Sequence, residues 1–291
     1  MPLFSVIIPA FNRCHMARRA VDSVLCQTFT DFECILVDDG STDGTPFLEE
    51  EYRGRIRYIR QCNAGVSEAR NAGVSASSSP FIAFLDSDDR WLPAKLERHA
   101  EYIRAHPDVK IHQTNETWIR RGRRVNPGLR HLKKEGRIYT ESLDLCLISP
   151  SAVVLSAGLF QQYGLFDEKL PVCEDYDLWL RVTLDEWAGL ILEELVVKYG
   201  GHSDQLSSGY WGMDRFRVYS ILSLLKNRGA GMRPDYREQA RRVALYKARI
   251  LVQGALKRKK NEFAGQLEKI ISILDEENYD SDMDYTFLLK E

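Results

Sequence analysis

Two short stretches of this 291-residue chain concentrate carboxylates where apolar runs end, and a third does so at a helix start. Phe32–Val37 (FECILV) leads into Asp38-Asp39-Gly40-Ser41, and Phe81–Leu85 (FIAFL) leads into Asp86-Ser87-Asp88-Asp89. Cys173-Glu174-Asp175-Tyr176-Asp177-Leu178-Trp179 crowds three acids into four residues at the start of an expected helix. Adjacent carboxylates repel, and taking them out of water is costly unless something neutralises them. A divalent cation with oxygen ligands does this, and so do the donors of a polar ligand. Helix capping is the plainer alternative, since Asp and Ser after a strand cap the next helix and the helix dipole favours acids there. Capping suits Ser41 and Asp43 as well as ligand binding does. It suits Asp86 and Asp88 less, because Arg90-Trp91-Leu92-Pro93 separates them from the next helix. One acid suffices for a cap, so three at 174–177 beside a Tyr and a Trp point to a site with a general base.

The elements that position these acids alternate through the first half. Phe4–Pro9, Phe32–Val37, Ile56–Ile59 and Phe81–Leu85 read as strands, being short, apolar and rich in β-branched or aromatic residues. His15–Gln27, Thr45–Tyr52, Val66–Ser77 and Pro93–Ala105 read as the helices between them. That alternation predicts a mostly parallel, Rossmann-like sheet covered by helices, with ligands at the carboxyl ends of the strands. The rule singles out Pro9–Asn12, Asp38–Ser41 and Asp86–Asp89. Further on, strands are expected at Val109–Trp118, Ala152–Leu155, Gly189–Glu193 and Leu195–Tyr199. Helices are expected at Glu141–Leu147, Ala157–Tyr163 and Asp175–Leu184. After about Ser207 only helical patterns remain, at Trp211–Lys226, Asp235–Leu256 and Asn261–Leu274. The expected organisation is an α/β domain over 1–205, with halves 1–108 and 109–205, and a helical extension over 206–291.

Composition narrows the class. Hydrophobic residues make up 44% and charged residues 28%, and 40 Lys and Arg against 42 Asp and Glu give a formal net charge of −2. The balance is that of a globular protein and argues against a nucleic-acid coat. No apolar run approaches the ~20 residues of a membrane span, and the N-terminus lacks the pattern of a signal peptide. The six cysteines form no CxxC pair, so the reducing cytosol is the simplest compartment and a zinc site is not expected. A P-loop, a GxGxxG after the first strand, a GxSxG elbow and an HExxH are all missing. Weaker signals are Asn63-Ala64-Gly65 with Glu68-Ala69-Arg70-Asn71, and Gly200-Gly201-His202-Ser203-Asp204-Gln205. The first offers donors to a phosphate or base. In the second, the glycines allow close backbone approach to a ligand.

Taken in order, these segments resemble the family 2 glycosyltransferases, which have the GT-A fold. The matching stretches are Val6–Asn12, Leu36–Asp43, Asn63-Ala64-Gly65 with Ala69–Gly73, Phe84–Asp89 and Glu174–Trp179. They span residue 5 to about 205 and leave the helical extension outside. The resemblance implies transfer of a sugar, with inversion, from a nucleotide diphosphate-sugar to an acceptor hydroxyl, as in cell-surface glycan or polysaccharide synthesis. It makes 1–108 the nucleotide-binding half and 109–205 the acceptor half. It implies that Pro9, Phe11, Asn12 and Asp39 hold base and ribose, with Arg70 near the nucleotide. Asp86 and Asp88 would form a DXD motif, Asp88 being the direct ligand of Mn²⁺ or Mg²⁺. Asp175 would be the catalytic base, Glu174 would place the acceptor, and His202 falls where some members supply another metal ligand. Phe11 stands where the family often has Tyr, which leaves stacking as its role.

Two rival readings come from other classes. A nucleotidyltransferase also uses a nucleotide, a metal and paired acids, but it depends on a glycine-rich loop where this chain has PAFNRCH. A non-catalytic relative that binds only a nucleotide or a partner would not need Asp39, Asp86, Asp88 and Asp175 together. Two basic segments complete the reading. Residues 120–137 carry eight Lys and Arg, either as a solvated loop or as a contact for an anionic glycan or lipid-linked acceptor. Residues 233–260 form a basic helix that either packs on the catalytic domain or docks the protein peripherally at the inner face of the plasma membrane. Acids in 275–284 oppose docking if they fold back onto it.

Overall fold

The computed structural model describes residues 1–201, 209–277, 279 and 284–290. The first strand, β1 (Phe4–Ala10), is buried along its whole length. Its side chains alternate between two cores. Val6 and Ile8 meet Ala17, Ala20, Val21 and Val24 of α1 (Cys14–Leu25) and Leu96 and Ala100 of α4 (Lys95–Ala105). Ile7 turns to the other face with Ala69 of α3 (Val66–Ala76) and Leu178, Trp179 and Val182 of α7 (Glu174–Thr183). A period of two with apolar residues at both phases is what a sheet covered on both faces demands. The approach of α3 to β1 is close enough that a Cβ on Gly73 would lie 2.4 Å from the Ile7 side chain.

β1 pairs in parallel with β2 (Phe32–Asp38) and β4 (Phe81–Phe84), and β2 pairs in parallel with β3 (Arg57–Arg60). Beyond β4 the sheet becomes mixed. β8 (Val153–Ser156) runs antiparallel between β4 and β6 (Ile111–Arg120), β6 pairs in parallel with β9 (Ala188–Gly200), and β9 pairs antiparallel with β5 (Arg90–Trp91). The order is β3-β2-β1-β4-β8-β6-β9-β5, with β7 (Arg123–Val125) hairpinned onto β6. The parallel pattern expected from strand–helix alternation therefore holds for the first four strands, where the alternation is regular.

Local departures have physical reasons. Gly189–Glu193 and Leu195–Tyr199, read as two strands, are one long β9 whose register with β6 shifts around Asn115. Thr45–Tyr52, read as a helix, is a 3₁₀ turn (Thr45–Phe47) followed by the four-residue α2 (Leu48–Glu51). β5 and β7 are too short to carry a periodic signal. The remaining helices are α5 (Tyr139–Asp144), α6 (Gly158–Tyr163), α8 (Asp214–Arg228), α9 (Pro234–Lys257) and α10 (Asn261–Glu276). α7 is shared between layers. Leu178, Trp179 and Val182 face the sheet, while Tyr176, Leu180 and Leu184 join α8, α9 and α10 in a second core. Burial on both sides fixes the N-terminus of α7, which carries Glu174 and Asp175. Among the described residues no helix is long and apolar enough to cross a membrane.

Candidate active site

The register of the parallel strands brings the acid-bearing loops together. Ala10 of β1 lies opposite Asp38 of β2, and the Leu85 N–H donates to the Ile7 carbonyl at 2.9 Å, so all three loops leave the same edge. Pro9 sits beyond the last β1–β4 pair, Ile7–Phe84, where its missing N–H costs no ladder bond. Gly40 has φ +80°, and a Cβ there would lie 2.7 Å from the Asn63 backbone nitrogen. Only glycine fits that turn.

Asp86, Asp88 and Asp89 each offer a carboxylate oxygen, and these lie within 4.8 Å of one another. Asp86 accepts from Arg70 at 2.7 Å, and Asp88 accepts from Arg13 at 3.0 Å. Asp89 is buried and accepts from the Ser151 hydroxyl at 2.6 Å and the Tyr199 N–H at 3.0 Å. Burial, opposed by Lys198 and reinforced by Asp88 and Asp86, pushes its carboxyl well above the usual range. Three clustered carboxylates are a hard-oxygen donor set of the type that holds Mg²⁺ or Mn²⁺.

Facing them is the start of α7. Glu174 is buried and paired with Arg70, so one guanidinium ties the helix to Asp86. Burial raises the Glu174 carboxyl to about 7, against the pull of Arg70. Arg70 is itself buried, and Asp86 and Glu174 together outweigh that burial and hold its proton more tightly than usual. Asp175 accepts from the N–H of Tyr176 at 2.7 Å and from the Cys146 thiol at 3.4 Å. Pro9, Arg13, Arg70, Asp86, Asp88, Glu174, Asp175, Lys198 and Arg217 line one cavity of about 340 Å³. Asp177 lies apart from this group, buried and paired with Arg181 at 2.8 Å.

Other expected residues have more local partners. Both oxygens of Asp39 are engaged by Gln61 Nε2 at 2.8 Å, Asn63 Nδ2 at 3.2 Å and the N–H groups of Ala64 and Gly65 at 2.9 and 2.8 Å. Asp39 thus clamps the 61–65 loop, and a ribose contact would have to exchange one of these donors. Asn12, at φ +51°, accepts from the Thr42 N–H at 2.7 Å and joins the loops after β1 and β2. Phe11 is exposed. Asp43 takes the capping alternative, accepting from the N–H groups of Cys14 and Thr45 at 3.0 and 2.8 Å. Asn71 holds Phe166 and Glu168 rather than facing the cavity. His202 lies outside the described residues.

Sequence reasoning missed Lys198, Arg13 and Arg217. Lys198 is one lysine inside a strand and carries no pattern. Arg13 adjoins the Pro9–Asn12 loop, and its charge, set against the acids after β4, was the available signal. Arg217 belongs to α8, which only the tertiary fold brings to the cavity. Three of the eight cations of the basic segment 120–137 are ion-paired within the chain: Arg124 with Glu194 at 2.8 Å, Lys133 with Glu116 at 3.3 Å and Lys134 with Glu141 at 3.2 Å. In the tail, acids do fold back, Glu277 pairing with Arg237 and Asp275 lying 3.9 Å from Arg249.

Residues 5–164 match the family described as Glycosyl transferase family 2. An uncharacterized glycosyltransferase of Rickettsia prowazekii (strain Madrid E) is 33% identical over 185 residues, 62% of this chain and 58% of that protein. The chain spans 30% to 58% of the length of the Rickettsia relatives it matches. In fold it is similar to S. aureus TarS residues 1–349 in complex with UDP-GlcNAc, with a TM-score of 0.64 at 19% identity, covering 99% of this chain and 90% of that one. It is also similar to the mannosyltransferase PcManGT from Pyrobaculum calidifontis in complex with GDP-Man and Mn²⁺, with a TM-score of 0.57 at 14% identity over 99% and 86% of the two chains. The fold likeness thus runs through the helical extension, and with a match over more than half its length, the chain belongs to glycosyl transferase family 2.

Proposed function

We propose that the chain is an inverting glycosyltransferase that moves a sugar from a nucleotide diphosphate-sugar to an acceptor hydroxyl in glycan or polysaccharide synthesis. The observation that carries this reading is the cavity in which Asp86 and Asp88 face Glu174 and Asp175. Similarity to proteins solved with UDP-GlcNAc and with GDP-Man and Mn²⁺ supports a nucleotide-sugar donor. The 1–108 half would hold the nucleotide, 109–205 the acceptor, and 206–291 would be a helical extension.

Asp86 and Asp88 would hold the divalent cation, with Asp89 completing the oxygen set. When bound, the cation supplies Lewis-acid stabilisation of the charge that grows on the departing diphosphate. Arg13 and Lys198 line the same cavity and add positive charge beside that leaving group. Asp175 takes the proton of the attacking hydroxyl on the face of the sugar opposite the leaving group. Its carboxylate is aimed by the Tyr176 N–H. Glu174 fixes Arg70 and, through it, the start of α7. Phe11 would stack on the base, and Pro9, Asn12 and Asp39 would shape that end of the pocket. Because α9 packs into the second core and the acids at 275–277 fold back onto it, any peripheral contact with an anionic inner membrane face would rest on the exposed Lys257–Lys259 segment alone.

The test is a thermal-shift screen of nucleoside diphosphates with Mn²⁺, followed by product analysis. Selective binding raises the melting temperature by mass action. Release of a nucleoside diphosphate supports the reading. Release of pyrophosphate would show a nucleotidyltransferase instead, and no nucleotide binding would overturn both.

A further inference from the structure

The hairpin of β6 and β7 leaves the sheet beside the candidate site. Trp118 is the strand partner of Lys198, which lines the candidate-site cavity, and Arg120 is the partner of Gly200. Residues opposite each other on neighbouring strands share a face, and so do residues two apart on one strand. Lys198, Trp118 and Arg120 therefore lie on one face, and Arg123, the partner of Arg120 across the turn, extends it outward. The turn is Arg121-Gly122, at φ +48° and +74°, the pattern of a tight two-residue hairpin.

This face is strongly basic. Between Glu116 and Glu135 the chain carries seven Lys and Arg and no acid. Arg120, Arg121, Arg123 and Arg130 are exposed, and none of the four is ion-paired among the described residues. Two of them are held by rings. The Arg120 guanidinium stands 5.6 Å from the centre of the Trp118 ring, and Trp118 meets His131 edge-on at 5.5 Å. Arg130 Nε donates to His131 Nε2 at 3.3 Å. Burial, and then the charges of Arg130 and Arg120, hold the His131 ring below its usual range, which sets a neutral ring among the guanidiniums. A guanidinium is a flat fork that matches a carboxylate or a phosphate with two hydrogen bonds.

We infer that this face of the hairpin holds an acidic glycan acceptor, its chain running outward from the candidate-site cavity over Arg120 and Arg123. The inference rests on the transferase reading above and names its acceptor class. Charge complementarity selects that class, since four guanidiniums with no acid of their own attract a polyanion and offer no such attraction to a neutral glycan. Leu129 and Leu132 are exposed on the turn that follows, which makes an anionic membrane the rival occupant. The arginines in line with Lys198 favour a ligand that also enters the cavity.

The test uses the full chain in calorimetry at physiological ionic strength, where attraction beyond about 8 Å is screened. A galacturonate decamer supplies carboxylates, a phosphomannan fragment supplies phosphodiesters, and the methyl-esterified decamer keeps the first backbone without its charge. At least one acidic glycan is expected to bind ~10-fold or more tightly than the ester. The double variant Arg120→Glu, Arg123→Glu, changed only at exposed positions, should weaken that binding by ~10-fold or more. The double variant Lys257→Glu, Lys259→Glu makes the same change of charge at the end of α9 and should leave it within ~2-fold. Failure of both acidic glycans to bind would overturn the inference, as would equal losses in the two variants or equally tight binding of single-stranded DNA of the same charge. Flotation with anionic vesicles that the hairpin variant abolishes, without glycan binding, would assign the face to a membrane instead. UDP and GDP are titrated with Mn²⁺ in parallel, and the hairpin variant should bind them as the unmodified chain does. Failure of the unmodified chain to bind either would sink the transferase reading, while the glycan titration would still decide whether the face holds an acidic glycan.

Discussion

Two of the buried clusters of ionisable side chains resolve the cost of burial differently. The candidate-site cavity gathers five carboxylates, Asp86, Asp88, Asp89, Glu174 and Asp175, with four cations, Arg13, Arg70, Lys198 and Arg217. Beneath the sheet, Lys95, His99 and His112 are fully buried in a row, with Lys95 Nζ 2.8 Å from His99 Nε2 and His99 Nδ1 2.7 Å from His112 Nδ1. In the cavity, desolvation is opposed by ion pairs, and burial still lifts Glu174 to about 7 and Asp89 well above the usual carboxyl range. Among the described residues no carboxylate is hydrogen-bonded to the nitrogens of the sealed row, so burial drives the protons off instead. It holds Lys95 and His99 well below their usual ranges and His112 at about 3, with Lys95 adding to the effect on both histidines. Burial and perturbed protonation alone therefore do not mark a catalytic group. What sets the candidate site apart is that its carboxylates open onto a cavity.

If that contrast is right, the cavity acids govern turnover and the sealed row governs stability. The largest effect should come from Asp88→Ala. Turnover should vanish and nucleotide binding should lose its metal dependence, both read by product release and by thermal shift with and without Mn²⁺. Full activity of this variant in EDTA would overturn the assignment. Asp175→Asn keeps the shape but cannot take the proton. Sugar transfer should fall by ~10²–10⁴-fold with donor binding intact. If donor binding were lost and turnover stayed high, Asp175 would be a helix cap.

Arg70→Met sharpens the contrast from the stability side. It leaves Glu174 and Asp86 without the partner they share in a buried setting, so unfolding in urea at neutral pH should show a loss of roughly 3–5 kcal/mol. Lys95→Met removes a group whose burial already disfavours its charge, and should cost far less. Equal losses would mean that the two clusters are held in the same way.

Much of this was legible before the fold was known. Apolar runs ending in Asp38-Asp39 and Asp86-Ser87-Asp88 pointed to the sheet edge where the candidate site lies, because strand ends in parallel sheets collect ligands. Glu174 and Asp175 stood out as more acid than a cap requires. The rest depended on contacts distant in sequence. Lys198 is one residue in a thirteen-residue strand, and Arg217 reaches the cavity only because α7 is shared between two cores. The Lys95–His99–His112 row joins a helix to a strand and leaves no local trace. Asp39 was legible as important but not as a clamp, since its donors come from residues 61–65.

The smallest effect separates the clusters by pH. His112 is held at about 3 in the folded chain against an ordinary value of 6.5, so the unfolded chain binds more protons between those limits. Its contribution to stability is complete above 6.5 and is lost as pH falls toward 3, and His99 acts in the same direction. Glu174 acts oppositely. Raised to about 7 from 4.5, it contributes fully below 4.5 and loses that contribution as pH rises through 7. Between pH 6.5 and 5 the two clusters therefore pull stability in opposite directions, and each group has a limiting slope of about 1.4 kcal/mol per pH unit. Urea unfolding across this window should show a shallower acid loss in the His99→Gln, His112→Gln double variant, and a steeper one in Glu174→Gln. The double variant is needed because a single change would leave the other ring nitrogen buried without its partner. Parallel pH profiles for wild type and both variants would show that neither cluster titrates with folding, and would remove the distinction between ion-paired and deprotonated burial drawn above.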